Sequence, residues 1–443
     1  MHQLTLQTQI PSIETCMNIL ADNNRRLGIP MDYDRLLEYH AYFTLRSYRL
    51  KRRLMDYIGL RNVHVNDFKE SDFLAFLLKS GVKTGFLLTP GGNYSMNKES
   101  LESVIATGLY SAEIVSLIRL FIEAFGGLKK VNMFAKIIDM HQPCGIETFD
   151  NHRMILAKPL WVPQNTGRLG AQAPAVMNIS KELLDVFTVP KGWVFFENDS
   201  GQIEPRLAQS TIIKDPVLKN CTMAYNDAYY GYLHYCTILN DEQRRDKSIK
   251  ITPLEITEEM KDMRKKFKTF GNATLYGSTE NNLNDPDKAA FIRYIGGHPN
   301  RVALQSDLED RIERGQRVFH SMFGTPIDIT KGPSDANYTD KTSQAYFSHL
   351  VKCAINNPMQ GTAADLMRYS LAKANNLLNR KAPNSVILMY VHDSGKFAIH
   401  EDDYGNVIDE LREITAYQVE DWVPIYCEPE EGIHKSDVKR FVV

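Results

Sequence analysis

The sequence predicts an α+β fold, on three observations. Residues 28–140 carry apolar side chains at three- and four-residue spacing, the mark of packed helices. From about residue 150 the texture turns to short strand-like runs. Strands and helices then follow one another without the regular alternation that builds a parallel βαβ sheet.

Taken in order, "DYDRLLEYHAYFTLRSYRLKRRLMDYIGL" has helical length and spacing, and "KESDFLAFLLKSGV" and "SAEIVSLIRLFIEAF" repeat the pattern behind capping-type residues. Between them "GFLLTPGGNYSMNKES" is broken by Gly and Pro and reads as a loop. "RMILAKPLWVPQ" and "GWVFFENDSGQI" read as strands, and residues 255–277 as a helix. "GGHPN" at 296–300 is a turn, followed by a polar helix through "LQSDLEDRIERG". "QRVFHSMFGTPIDI" suggests a hairpin and 331–343 a loop. "MQGTAADLMRYSLAKANNLLNR" is a helix with an apolar stripe, opened by the proline before it. "LMYVHDSGKFAIH" (388–400) is a buried hairpin, and a helix runs through "YGNVIDELREITAYQVEDW". No repeat or low-complexity tract interrupts the chain.

The 443 residues are 43% hydrophobic, enough for a large core over two or more subdomains. A formal net charge of −2 excludes a global basic field. Charge is local: "LRSYRLKRRL" and "MKDMRKKFK" are basic, "CEPEEG" acidic, and each also fits a solvated face. The six cysteines lack zinc or redox spacing, which points to reduced structural thiols. The N-terminus lacks a signal-peptide pattern and no apolar run reaches membrane-spanning length, so a soluble protein of a reducing compartment is expected.

Two aspartates stand where strands leave them exposed to cost. Asp393 sits inside the hairpin, and Asp199 ends the aromatic strand of "FFENDSGQIEPRLA". A buried carboxylate is costly without a cation or partner. Two converging across one sheet can ligate a hard cation that also takes substrate phosphates, whereas each alone fits a turn or cap. In "RKKFKTFGNATLYG", Arg264, Lys268, Asn272 and Tyr276 recur every four residues and share one helix face. Such a stripe can clamp a polyphosphate and stack a base, or simply be a basic amphipathic face. Arg168 lies in "NTGRLGAQAPAVMNI", a Gly-flanked polar stretch that alone is only a loop. Asn356 and Gln360 in "NNPMQGTAAD" offer amides to nucleic acid or cap a helix.

Together and in this order the stretches resemble the bacterial DNA polymerase I family (family A). "TGRL" is similar to the loop before the first catalytic strand, and "DSGQIEPR" to motif A. Residues 264–277 are similar to motif B, "NNPMQGTAAD" to the helix before motif C, and "YVHDSGKFAIHEDD" to motif C. "GIPMDYDRLLEY" and "HVNDFKESDFLAFLL" resemble the thumb. The resemblance implies a right-hand polymerase fold, with an antiparallel palm sheet and helical thumb and fingers. It divides the chain into an N-terminal region and thumb (1–150), palm with motif A (151–215), fingers (216–345) and palm with motif C (346–443).

It further implies a template-directed DNA polymerase that extends a primer 3′-OH. Asp199 and Asp393 would hold two Mg²⁺ ions, with the Ser200 carbonyl as a further ligand. Arg264 and Lys268 would bind the incoming dNTP triphosphate, with Asn272 beside its sugar. Tyr276 would stack near the nascent pair, and Glu204 would exclude a ribose 2′-OH. Arg168, Lys352, Asn356, Gln360 and His392 would contact primer–template DNA. Lys352 stands where the family usually has Arg, Ser394 where it has Glu, Asn272 where it has an aromatic residue, and Ser200 where motif A has tyrosine. "HDS" is the form of phage-type single-subunit RNA polymerases, the first alternative; a non-catalytic nucleic-acid-binding subunit is the second. Proofreading and 5′-nuclease domains have no room ahead of motif A. The expected setting is a phage-infected bacterial cytoplasm, away from membranes, with a separate processivity or exonuclease subunit as partner.

Overall fold

The computed structural model describes all residues except 90–91, 149, 276–284, 333–334, 336–337, 339, 433–438 and 441–443. Within its helices and strands, the side chains of 181–182, 270, 272–275 and 439–440 also lie outside the description.

A five-stranded antiparallel sheet organises the centre, in the order Lys439–Arg440, Cys427–Gly432, Trp193–Ser200, Ser394–His400, Val386–Val391. Its middle strand places bulky Phe195 and Phe196 in the core. The helix Ile13–Arg26 packs against Val386–Val391, so Cys16 and Leu20 join the same apolar core as Ile387, Phe397 and Leu411. Ser12 caps this helix by accepting from Thr15 N–H.

Two long helices, Tyr33–Tyr57 and Ala112–Met140, pack on each other and extend from this core. Their far ends enclose a separate core with Leu54, Phe68, Phe73 and Phe121. The basic run at 45–54 is mostly a solvated face, but Lys51 turns inward beside the Phe68 and Phe125 rings, at 5.8 and 5.1 Å. Burial lowers its pKa.

The third core gathers Leu207, Tyr232, Phe267, Phe291 and Ile312 from the helices between 203 and 313. The helix Gln344–Lys381 spans two cores: Leu350, Ile355 and Leu366 belong to this one, and Leu371, Leu377 and Leu378 to that of the sheet. The sequence reading started this helix at Pro358, but the proline lies inside it. Pro358 lacks an N–H for the Ala354 carbonyl, yet buried side chains on both sides hold the helix continuous. The expected helix through 404–422 also differs. It ends at Arg412, and Tyr417–Val419 becomes a strand parallel to His2–Leu4. A pairing partner 415 residues away, as His2 is from Tyr417, leaves no mark on local periodicity.

Candidate active site

Strand register brings the two aspartates together. Ser394 pairs directly with Asp199, so Asp393, one residue earlier, stands beside it at the strand end. The Ser200 N–H donates to the Asp393 carbonyl at 2.8 Å, which fixes the two backbones. Val391 and Ser394 are also paired, leaving a two-residue hairpin loop of His392 and Asp393. His392 has φ 56°, the left-handed conformation that tight hairpin loops demand at this position. Gly395 leaves room for the Tyr390 ring, whose Cζ would lie 2.9 Å from an added Cβ.

The opposite face of the central strand is pinned. Asn198 Nδ2 donates to the Leu411 carbonyl at 2.5 Å, and the Ser200 hydroxyl donates to the Thr415 carbonyl at 3.1 Å. The Ser200 side chain is thereby turned away from the aspartates, leaving its backbone as the part that borders them. Beyond the strand, Arg206 donates to the carbonyls of Gly201, Pro424 and Asn226 at 3.1, 2.7 and 2.8 Å. This staple fixes the turn between Asp199 and Glu204.

The carboxylates are in an environment that resists their charge. Burial and the neighbouring Asp393 push Asp199 up to about 7, against the pull of Lys396. Burial and Glu204 raise Asp393, with Arg168 opposing. Asp199 Oδ1 is buried without a hydrogen-bond partner among the described residues. No group of three or more His, Cys, Asp or Glu side chains able to hold a metal occurs among them. Two close, under-compensated carboxylates with one unsatisfied oxygen nevertheless fit a hard dication that completes its shell with water and phosphate oxygens.

The other expected residues gather around this centre to different degrees. Arg168 lies in the connection of a hairpin, Leu160–Pro163 with Leu169–Gln172, whose second strand falls in the stretch that reads as a loop. Gly361 lets this connection approach the long helix: an added Cβ would lie 2.4 Å from Ile327 Cδ1 and 3.4 Å from the Thr166 carbonyl. Arg168 forms an ion pair with Glu204 at 2.5 Å. Arg168 and His392 line one small cavity with Ala364 and Tyr390. Burial and Arg168 lower the His392 pKa. Lys352, Asn356 and Gln360 form an exposed to half-buried stripe on the long helix, with Gln360 donating to Asn356 at 3.2 Å. Continuing that four-residue spacing reaches Ala364 in the cavity.

The basic stripe lies on helix Glu258–Leu275. Arg264 donates through Nε and Nη2 to the one oxygen Asp227 Oδ2, at 2.9 and 2.6 Å, and lies beside the Tyr229 and Tyr230 rings. Asp227 is in turn bound by Gln202 at 2.6 Å and caps the helix Ala228–Leu233. Lys268 is exposed. Asn272 is in the helix with its side chain outside the described residues, and Tyr276 lies outside them altogether.

The sequence reading missed Asp227, Arg206 and an ion pair beneath the aspartates, Glu197 with Lys396 at 2.6 Å. Glu197 had a signal: two residues before Asp199 on a strand, it must share that residue's face.

Comparison with known proteins places this geometry. The family model for DNA polymerase family A matches residues 36–436. DNA polymerase I of Caldicellulosiruptor bescii is 22% identical over 94% of this chain and 45% of its own length. That of Pseudomonas aeruginosa is 23% identical over 60% of this chain and 28% of its own. The chain thus spans less than half the length of these curated relatives. The POL domain of Pol1 from M. smegmatis, solved with DNA primer-template and dNTP, superposes with a TM-score of 0.71 at 16% identity, covering 95% of this chain and 70% of that one. With nearly the whole sheet-and-helix framework inside the matched region, the chain belongs to DNA polymerase family A.

Proposed function

We propose that the chain is a template-directed DNA polymerase, adding deoxynucleotides to a primer 3′-OH with Asp199 and Asp393 as the holders of two Mg²⁺ ions. The observation that carries this reading is the buried pair of aspartates on adjoining strand ends, inside a family A framework. When bound, magnesium would lower the pKa of the attacking hydroxyl and neutralise the departing pyrophosphate.

The chain's own residues do the positioning. Asp199 and Asp393 supply the anionic ligands, with the Ser200 carbonyl as a further oxygen. Arg264 and Lys268 take the triphosphate, Arg264 after exchanging Asp227 Oδ2 for phosphate, which can accept from the guanidinium through two oxygens. By the resemblance, Asn272 is assigned to the sugar of the incoming nucleotide and Tyr276 to stacking near the templating or nascent pair, and Glu204 to the site of a 2′-OH. Arg168, His392, Lys352, Asn356 and Gln360 hold the primer–template, contacts that set register rather than read sequence. In this reading synthesis proceeds without proofreading, a separate exonuclease or processivity subunit being the partner.

Extension of an annealed primer with dNTPs and, in parallel, rNTPs tests the proposal. The expected result is Mg²⁺-dependent addition of dNTPs directed by the template, without 3′-end shortening when nucleotides are withheld. Primer-independent RNA synthesis, or no synthesis at all, would overturn it.

A further inference from the structure

Glu197 and Lys396 face each other across the central strand pair, on the same side of the sheet as Asp199 and Ser394 and in the adjacent row. The Lys396 ammonium donates to Glu197 Oε1 at 2.6 Å and to Ser394 Oγ at 2.8 Å. The Ser394 hydroxyl donates to the same Glu197 oxygen at 2.6 Å. Glu197 is 7% and Lys396 9% exposed.

A buried ion pair is not needed to hold these strands together. Desolvating both charges costs about what their attraction returns, and an apolar pair of similar volume is often equally stable or better. The next row inward is apolar, Phe195 opposite Ala398. The pair therefore stands out by its place, at the charged end of the strands. It also accompanies Ser394, where the resemblance to family A leads one to expect Glu. At this end of the sheet Ser394 therefore bonds both members of the pair, Glu197 and Lys396.

We infer that Lys396 is a positioning residue that sequesters the Glu197 carboxylate, keeping it from the cations bound by Asp199 and Asp393 and thereby setting the charge of the platform. This inference rests on the polymerase reading above for its purpose, but not for its measurement. Glu428 and Glu430 of the neighbouring strand stand opposite Asp199 and Glu197, so the one Lys396 ammonium offsets only part of an acidic platform. Without it, Glu197 is left beside the aspartates as a further anionic ligand; without Glu197, the ammonium is freed toward the aspartates and repels an arriving cation.

The two single substitutions therefore act in opposite directions, which a merely structural pair does not do. Mn²⁺ alone, titrated into the purified chain without DNA or nucleotide and followed by the resonance signal of the unbound ion, reads the effect. Lys396→Met is expected to bind Mn²⁺ about tenfold more tightly and Glu197→Gln about tenfold more weakly, the scale of one charge in a partly shielded site. The double variant is expected to return close to the wild type, and Lys396→Arg to match it. Melting temperatures recorded on the same samples identify any variant that does not fold. If Lys396→Met is such a variant, Glu197→Gln against the double variant still carries the sign. Single shifts in the same direction, or folded variants with unchanged Mn²⁺ affinity, would overturn the inference. A chain that shows the opposed shifts yet extends no primer would leave it standing and remove the polymerase reading; active extension without the shifts would do the reverse.

Discussion

The carboxylate end of the sheet and the basic helix Glu258–Leu275 are built on opposite principles. At the sheet end, Asp199 and Asp393 are fixed by strand register, a backbone hydrogen bond and anchors on the reverse face, while their charge is left under-compensated. On helix Glu258–Leu275 the proposed triphosphate-binding cation is already compensated: Asp227 holds Arg264 with two hydrogen bonds. The sheet is thus preorganised in geometry and waiting for charge, whereas the basic helix has its charge satisfied and must exchange partners to act. Electrostatic preorganisation is most effective when donors or acceptors need not move during reaction, so the sheet is the part least tolerant of displacement.

That contrast can be broken most strongly at Asp199. Asp199→Glu keeps the charge but moves it by one methylene, and a displacement of that size is expected to lower single-turnover primer extension by about 10²-fold or more without loss of fold. At the other region the sign reverses. Asp227→Asn releases Arg264, and the dNTP concentration for half-maximal extension should fall a few-fold, while Arg264→Ala should raise it by about tenfold or more, the scale of a charge-assisted bidentate contact. Steady-state titration with dNTP separates the two. Glu204→Ala, which also releases Arg168, should reduce discrimination between dNTP and rNTP by about tenfold, as judged from competing extension products.

A smaller effect sharpens the electrostatic half of the comparison. Asp199 is raised to about 7 in the folded chain, above an ordinary aspartate, so between these values the folded state holds the extra proton. Stability contributed by that proton is fully present at low pH and lost as pH rises through about 7. Without divalent metal, the unfolding free energy of the wild type from denaturant titration should therefore fall from pH 5 to pH 8 relative to Asp199→Asn, with a limiting slope of about 1.4 kcal/mol per pH unit. Excess Mg²⁺ should abolish the difference. The smallest change is expected on the solvated face of the long N-terminal helix, where Arg53→Ala should alter stability by less than about 0.5 kcal/mol in denaturant titration.

Much of the framework was legible because periodicity and capping are local. The helices at 33–57 and 112–140 and the hairpin around Asp393 lie where spacing puts them. What failed was non-local: the strand Tyr417–Val419 exists because the chain's first residues pair with it, and Pro358 stays helical because two cores grip the helix on either side. At the candidate site, the unusual position of Asp199 and Asp393 in strands singles them out, and register brings them together; the roles of the other residues rest on the resemblance. Glu197 and Lys396 passed unnoticed because strand alternation shows only which face each occupies, and their pairing depends on the register between strands nearly 200 residues apart. The parking of Arg264 on Asp227 was invisible because it depends on how helix Glu258–Leu275 packs on helix Ala228–Leu233, which local spacing does not show.

The most direct test of the account is single-turnover extension of an annealed primer across a Mg²⁺ titration, run for the wild type and for Asp393→Asn with melting temperatures measured on the same samples. The wild type should add template-directed dNTPs in proportion to Mg²⁺ occupancy, and the variant, equally folded, should add none at any Mg²⁺ concentration. An Asp393→Asn chain that extends the primer as the wild type does would contradict it.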